Sequence, residues 1–380
     1  MAAAEALTRR AAILAIAGAA AMPSLRSALA TSASWSTARP EDAGFSSDFS
    51  DKLDAGVRSG LLGGLRAVLV SRNERLVLER YYQGADESWG NPLGTIAFGP
   101  DTLHDLRSVT KSVVGLLYGI ALDRGLVPSP EAPLLAQFPE YPDLAADPAR
   151  ALLSIENALT MTMGFAWDEK RSYADPTNSE RAMEDAPDRN RYILQQPIVA
   201  APGTRWIYSG GAVALIGTLI ARGTKSKLQD FARHALFEPL GIDAFECAEG
   251  KDGVASAASG LRLRPRDLLR IGTLVLAHGQ WGGRQIVSRA WLDASSKPVI
   301  PTGDGLEYGR LWYLGEGIAP ALAGPRRWIA AFGNGGQRLW LMPDAGVTVA
   351  ILCGNYNAPD QWVTPIRIWR EIVLANLLHV

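Results

Sequence analysis

Strand-forming runs sit near the two ends of this chain and helical patterns fill its middle, a distribution that restricts the fold more than any other feature. Residues 66–70 and 76–82 are apolar and β-prone, and Ser71-Arg72-Asn73-Glu74 between them reads as the turn of a hairpin. Strand character returns at 328–332, 337–342 and 347–353, with Pro343-Asp344-Ala345-Gly346 as a turn between the last two. In between, Val109, Val113, Leu116, Leu117 and Ile120 follow helical spacing over 108–124, and Gly125 and Pro128 stop that helix. Further helical patterns cover 45–61, 151–159, 213–222, 228–237, 266–277 and 362–378, whereas 168–197 is polar and reads as a loop. The pattern predicts an α/β (α+β) protein, its antiparallel sheet formed by both chain ends and flanked by helices. A mostly helical subdomain is expected over roughly 112–260.

Composition narrows the function classes. Lys and Arg number 38 against 39 acids, so the net charge of −1 provides no field for nucleic acid or an anionic membrane. With 47% apolar residues the chain can bury a large core. Two cysteines, Cys247 and Cys353, are too few for a disulfide framework or a thiolate metal site, and the four histidines never fall in a ligand spacing. No metal or cofactor is expected.

The amino terminus reads as an address. Arg9-Arg10, an apolar run over 11–22 and the small residues Ser27-Ala28-Leu29-Ala30 are the parts of a secretory signal, here of twin-arginine type. Residues 1–30 are therefore expected to be removed, leaving a single catalytic domain over 31–380. That domain is expected to be periplasmic or secreted, without a stable membrane anchor. In such a setting Cys247 and Cys353 are free to pair, although Cys353 lies in an apolar run that suits a buried thiol.

A chain so poor in histidine needs another group to activate a serine nucleophile. The elbow Gly-x-Ser-x-Gly is absent, which weighs against an α/β-hydrolase. Ser-x-x-Lys occurs once, as Ser108-Val109-Thr110-Lys111. Three residues apart on a helix puts both side chains on one face, about 5–6 Å apart at Cβ. A neutral amine there can take the serine proton, and a serine at a helix start has a backbone N–H free to stabilise an oxyanion. The pair alone is equally compatible with a helix cap and a surface lysine.

Two more segments carry weight: Pro202-Gly203-Thr204-Arg205-Trp206-Ile207-Tyr208-Ser209-Gly210-Gly211, and Phe332-Gly333-Asn334-Gly335-Gly336-Gln337. With these, and with Leu159-Thr160-Met161-Thr162-Met163-Gly164-Phe165 and Phe237-Glu238-Pro239-Leu240-Gly241, the chain resembles the serine β-lactamase and penicillin-binding-protein superfamily. The likeness is to its class C-like branch of esterases, peptidases and amide hydrolases such as 6-aminohexanoate-dimer hydrolase, and it runs over roughly 40–355. The resemblance implies Ser108 as nucleophile, Lys111 as its base and Tyr208 as the second proton-handling group. It implies backbone N–H groups of Ser108 and Gln337 as the oxyanion hole, and Gly210, Asn334, Gly335 and Gly336 along the substrate. Trp167 and Tyr173 are candidate walls of an acyl pocket, and Trp312 near Tyr308 is a weaker one; ordinary packing explains all three equally well.

Two departures from the family pattern bear on substrate. Where the second motif ends in Asn the chain has Gly210, and where the third begins with Lys or His it has Asn334. Arg338 is close by, but strand alternation turns it away if Gln337 lines the site. Both changes favour an ester or short amide over a β-lactam. A β-lactamase or D-alanyl-D-alanine carboxypeptidase is the enzymatic alternative, with a wall-derived substrate, and a non-catalytic sensor or scaffold module the alternative of another kind.

Overall fold

An eight-stranded antiparallel sheet ties the two ends of the chain together in the computed structural model, which describes residues 35–173 and 175–380. The expected signal segment 1–30 lies outside the described residues. The strands are β1 (Leu65–Arg72), β2 (Arg75–Tyr81), β3 (Ile300–Pro301), β4 (Glu307–Tyr308), β5 (Tyr313–Gly317), β6 (Arg326–Gly333), β7 (Gln337–Met342) and β8 (Val347–Cys353). Their order across the sheet is β3-β4-β5-β6-β7-β8-β1-β2, so the amino-terminal hairpin docks on the last strand, with Leu69 opposite Ala350. The β1–β2 turn is tighter than the sequence implies: only Asn73 and Glu74 turn, both at positive φ, a two-residue hairpin form that fits the strand twist.

Side chains alternate across this sheet and feed two cores. Leu69, Leu339, Leu341 and Ala350 face one, and Val70, Trp340, Met342 and Val349 face the other. The second core is covered by α1 (Phe49–Arg58) and the helical stretch from Val363 to Asn376. The first is covered by α2 (Val109–Asp123), α3 (Gly210–Thr224) and α4 (Pro265–Leu276). Helix α2 is buried on nearly every side, from Val109 to Ala121, as suits a central helix. It contacts α3 and the end of β6, so it is fixed between the helical region and the sheet.

Two expectations fail locally. The helix expected over 151–159 forms only at Ile155–Leu159, because Ser154 and Asn157 make a reciprocal capping box that starts it there. The stretch read as loop over 168–197 contains helices Ser179–Asp185 and Arg189–Leu194. Asn178 and Asp188 cap them by accepting from the N–H groups of Arg181 and Arg191, and Met183, Ile193 and Leu194 anchor them in the core. Both cysteines are free: Cys353 is buried in β8 and Cys247 lies on a separate small sheet.

Candidate active site

Ser108 stands at the amino-terminal end of α2. The residue before it, Arg107, has φ +49, a conformation few non-glycine residues adopt. Ion pairs from Arg107 to Glu87 and Asp105 hold it there. The first turn is closed by Val109, Thr110 and Lys111 N–H groups bonding to Leu106, Arg107 and Ser108 carbonyls, none of which uses the N–H of Ser108. One turn on, Lys111 is 2% exposed, and its Nζ hydrogen-bonds Ser108 Oγ at 3.0 Å and the Ala258 carbonyl at 3.1 Å.

Tyr208 comes from the segment that enters α3. Ser209 caps that helix by accepting from Ala212 N–H, and Ile207 N–H bonds to Met161 O, which pins the tyrosine between them. Lys111 Nζ lies 4.8 Å from the Tyr208 ring centre, so Ser108, Lys111 and Tyr208 converge. Burial, and then the Glu169 charge, hold the Tyr208 phenol well above its ordinary range, while the Ser108 hydroxyl and Arg338 pull the other way. Trp206, Tyr308 and Tyr313 pack around it as an aromatic wall.

Two carboxyls that sequence reading missed lie beneath these groups. Glu180 Oε2 is 3.9 Å from Lys111 Nζ and accepts from Tyr173 OH at 3.0 Å, and Glu180 Oε1 accepts from Ser259 Oγ at 2.5 Å. Glu169 Oε1 accepts from the Trp167 indole N–H at 2.5 Å and from the Gly210 backbone N–H. Burial, then the neighbouring Glu180 charge, push Glu169 up to about 8. Burial works against the Glu180 anion too, but Lys111 and the hydrogen bonds of Ser259, Glu169 and Tyr173 hold it below the usual range. Both glutamates sit in the stretch read as solvated loop, eleven positions apart, with no periodicity to join them.

The fourth wall is the end of β6. Gly333 abuts the chain just before Ser108: a Cβ there would overlap the Leu106 carbonyl oxygen and stand 3.3 Å from Arg107 Cβ. The Gln337 side chain does not line this wall. The left-handed pair Gly335 and Gly336 turns the chain first, and the fully buried Gln337 side chain points inward to His104, the Asn334 carbonyl and both main-chain groups of Cys353. By the same alternation Arg338 faces the cleft, which corrects the expectation that it turns away. It donates to the Gly333 and Gln337 carbonyls, stacks 4.7 Å from the Phe332 ring, and burial lowers it to about 10. The cation missing at Asn334 is thus supplied from the next strand.

These walls enclose a cleft of about 730 Å³ lined by Ser108, Trp167, Glu169, Tyr173, Tyr208, Asn334 and Arg338, among others. Gly210, Gly335, Gly336 and Gln337 lie outside its lining, and Trp312 is a core residue. Among the described residues no group of three or more His, Cys, Asp or Glu is placed to hold a metal, and no helix is long and apolar enough to cross a membrane.

The model of the Beta-lactamase family matches residues 49–364. The 6-aminohexanoate-dimer hydrolase of Paenarthrobacter ureafaciens is 23% identical over 335 residues, 83% of this chain and 77% of that protein. Among solved structures, EstCE1, a hydrolase with promiscuous acyltransferase activity, superposes with a TM-score of 0.66 at 14% identity, over 85% of this chain and 98% of its own. A class C beta-lactamase mutant gives 0.62 at 17% identity, over 84% and 96%. These likenesses share one fold.

Proposed function

Because this chain belongs to the beta-lactamase family and is a serine hydrolase of that type, we propose that it cleaves a carboxylic ester or short amide through an acyl-enzyme on Ser108. The observation that carries the reading is the buried contact of Lys111 Nζ with Ser108 Oγ at 3.0 Å on the floor of the cleft. A neutral amine has two N–H donors and one lone pair. The Ala258 carbonyl takes one donor at 3.1 Å, Glu180 Oε2 faces the nitrogen at 3.9 Å without a hydrogen bond, and Ser108 Oγ at 3.0 Å is the hydroxyl within reach of the lone pair.

Ser108 Oγ bonds to the carbonyl carbon as its proton passes to Lys111. Tyr208, a neutral phenol in this setting, relays that proton to the leaving alcohol or amine as the C–O or C–N bond breaks. Water then adds to the acyl-enzyme by the reverse relay and releases the acid. The oxyanion is met by the N–H of Ser108 and by a second backbone N–H from the segment between β6 and β7, where Asn334 lines the cleft. Each such donor is worth about 3–4 kcal/mol of barrier.

The likeness to a 6-aminohexanoate-dimer hydrolase supports an ester or short amide over a β-lactam, whereas Gly210 lies outside the cleft lining with its open side toward Glu180 and Ala258. Arg338 in the cleft favours the second reading, a β-lactamase or D-alanyl-D-alanine carboxypeptidase, since a guanidinium suits a substrate carboxylate. A panel of short-chain nitrophenyl esters, short amides and a chromogenic cephalosporin, run beside a Ser108→Ala control, separates the two. Ester or amide turnover abolished in the control is expected; fast cephalosporin turnover with negligible ester cleavage overturns the ordering. Export belongs to the same proposal, and amino-terminal sequencing of the protein recovered outside the cytoplasm tests it.

A further inference from the structure

Beside the Ser108–Lys111–Tyr208 group lie two carboxyls, Glu180 fully buried and Glu169 half-buried in the cleft wall, whose protonation the proposed reaction leaves unassigned. Glu169 Oε1 has two donors, the Trp167 indole and the Gly210 N–H, but its Oε2 is a buried atom with no hydrogen-bond partner among the described residues. The Glu169 and Glu180 carboxyls are close enough for each to act on the ionisation of the other, and both border the Gly210 position: Glu169 Oε1 accepts its N–H and Glu180 faces its Cα. Two carboxylates so placed oppose each other's ionisation. On the Glu180 side the donors are complete: Ser259 Oγ, Tyr173 OH and the nearby Lys111 ammonium or amine. The group short of a donor is Glu169, and a proton on its own Oε2, given to Glu180, supplies one.

We propose that Glu169 and Glu180 act as a single proton-sharing carboxyl pair that positions Lys111 against Ser108, in the space that Gly210 leaves open. The inference rests on the reading of Lys111 as the amine that serves Ser108. A Cβ on Gly210 would stand 3.0 Å from Glu180 Cδ and Oε2 and 3.1 Å from Ala258 Cβ, so the missing side chain at 210 leaves the room that the Glu180 carboxyl occupies, while the Gly210 N–H donates to Glu169. With one shared proton the pair carries one negative charge, which faces Lys111 Nζ from Glu180 Oε2 at 3.9 Å. Loss of that proton adds a second negative charge beside Lys111, which opposes its action as a base toward Ser108.

The groups facing the pair set the direction of its titration. Trp167 and Gly210 donate to Glu169, Tyr173 and Ser259 donate to Glu180, and Lys111 faces both from α2. Glu184, Tyr208 and the more distant Arg338 complete the charged surroundings. The sum favours a neutral Glu169 beside an anionic Glu180 through the neutral range.

Glu169→Gln tests this, because its amide N–H donates to Glu180 as the acid would but cannot ionise. Infrared difference spectra of the wild type taken at about pH 6.5 and 9.5 are expected to show loss of a protonated-carboxyl C=O band that Glu169→Gln never shows. Ester turnover, normalised to each protein's own rate at neutral pH, is expected to fall about 10-fold by pH 9.5 in the wild type and less than about 3-fold in Glu169→Gln. The same alkaline fall in the variant, or no band lost in the wild type, overturns the proposal. Glu180→Gln, measured likewise, is expected to move the band to lower pH by about one unit or more, and an unmoved band also overturns it. Fluorophosphonate labelling of wild-type Ser108 checks the underlying reading separately: without a label at Ser108 the hydrolase mechanism fails, whatever the band does.

Discussion

Glu180 Oε2 and Lys111 Nζ face each other at 3.9 Å with both side chains 2% exposed, so the Glu180 carboxylate has the Lys111 head group as its buried partner. Removing one member of such a pair leaves an uncompensated charge, at a cost of about 3–5 kcal/mol. Lys111→Met is therefore expected to lose stability in urea denaturation at neutral pH. Glu180 is held below its ordinary range in the fold, so its contribution is full above the unfolded value and is lost as pH falls through the folded one. The deficit of Lys111→Met should accordingly shrink toward acid, where the orphaned carboxyl takes a proton. Lys111→Met/Glu180→Gln should recover most of the stability at pH 7 and none of the activity. A single variant as stable as the wild type at pH 7 contradicts the pairing.

Glu169 predicts the opposite slope. Its folded value of about 8 lies above the ordinary 4.5, so between those values the native chain keeps a proton that the unfolded chain has lost. Stability then declines as pH rises through that window. Glu169→Gln has no such decline. Its melting temperature relative to the wild type should rise steadily from about pH 5 to pH 8 and level off beyond, whatever the offset at the acid end. A flat difference across the window refutes the raised value.

The sheet and the nucleophile helix were legible because their signals are local. The β1–β2 and β7–β8 turns carry their own residues, and the spacing of Val109, Val113, Leu116 and Ile120 marks α2 without outside information. Ser108, Lys111 and Tyr208 were readable as motifs in order, and the structure brings them into one cleft. Glu169 and Glu180 were not readable, because what makes them matter is burial under α2, which no neighbouring residue announces. Arg338 was turned away from the cleft for a related reason. Strand alternation gives relative orientation only, and the two left-handed glycines before Gln337 decide which face begins the strand.

Gly333 fixes how closely β6 approaches the nucleophile. An added methyl would meet the Leu106 carbonyl oxygen, a backbone atom that cannot rotate aside. Gly333→Ala must therefore move either the end of β6 or the Leu106–Arg107 segment, and an overpacked site of this kind costs about 1–3 kcal/mol. Because both segments carry proposed oxyanion donors, turnover is expected to fall more than stability does, by about 100-fold for a shift near 1 Å. Steady-state kinetics beside thermal denaturation measures the two. Near-normal turnover in a folded variant means that the end of β6 takes no part in the reaction.

Gly210→Asn puts back the residue type that the resemblance places at the end of the second motif, and is the sharpest way to ask why the chain lacks it. If the glycine is merely a lost contact, the variant should gain cephalosporin turnover at little expense to the fold. The geometry argues otherwise. The new Cβ stands 3.0 Å from the Glu180 carboxyl and 3.1 Å from Ala258 Cβ, tighter than ordinary contacts, before the amide is even placed. Ala258 also supplies the carbonyl that holds Lys111, so pressure on that segment reaches the amine directly. The expected result is ester turnover down by about 10-fold or more and no gain on the cephalosporin. Shortening Glu180 as well, in Gly210→Asn/Glu180→Ala, relieves the clash and should return the melting temperature toward that of Glu180→Ala alone. A single variant that turns over cephalosporin at unchanged stability shows that position 210 sets substrate choice without regard to the carboxyls below it.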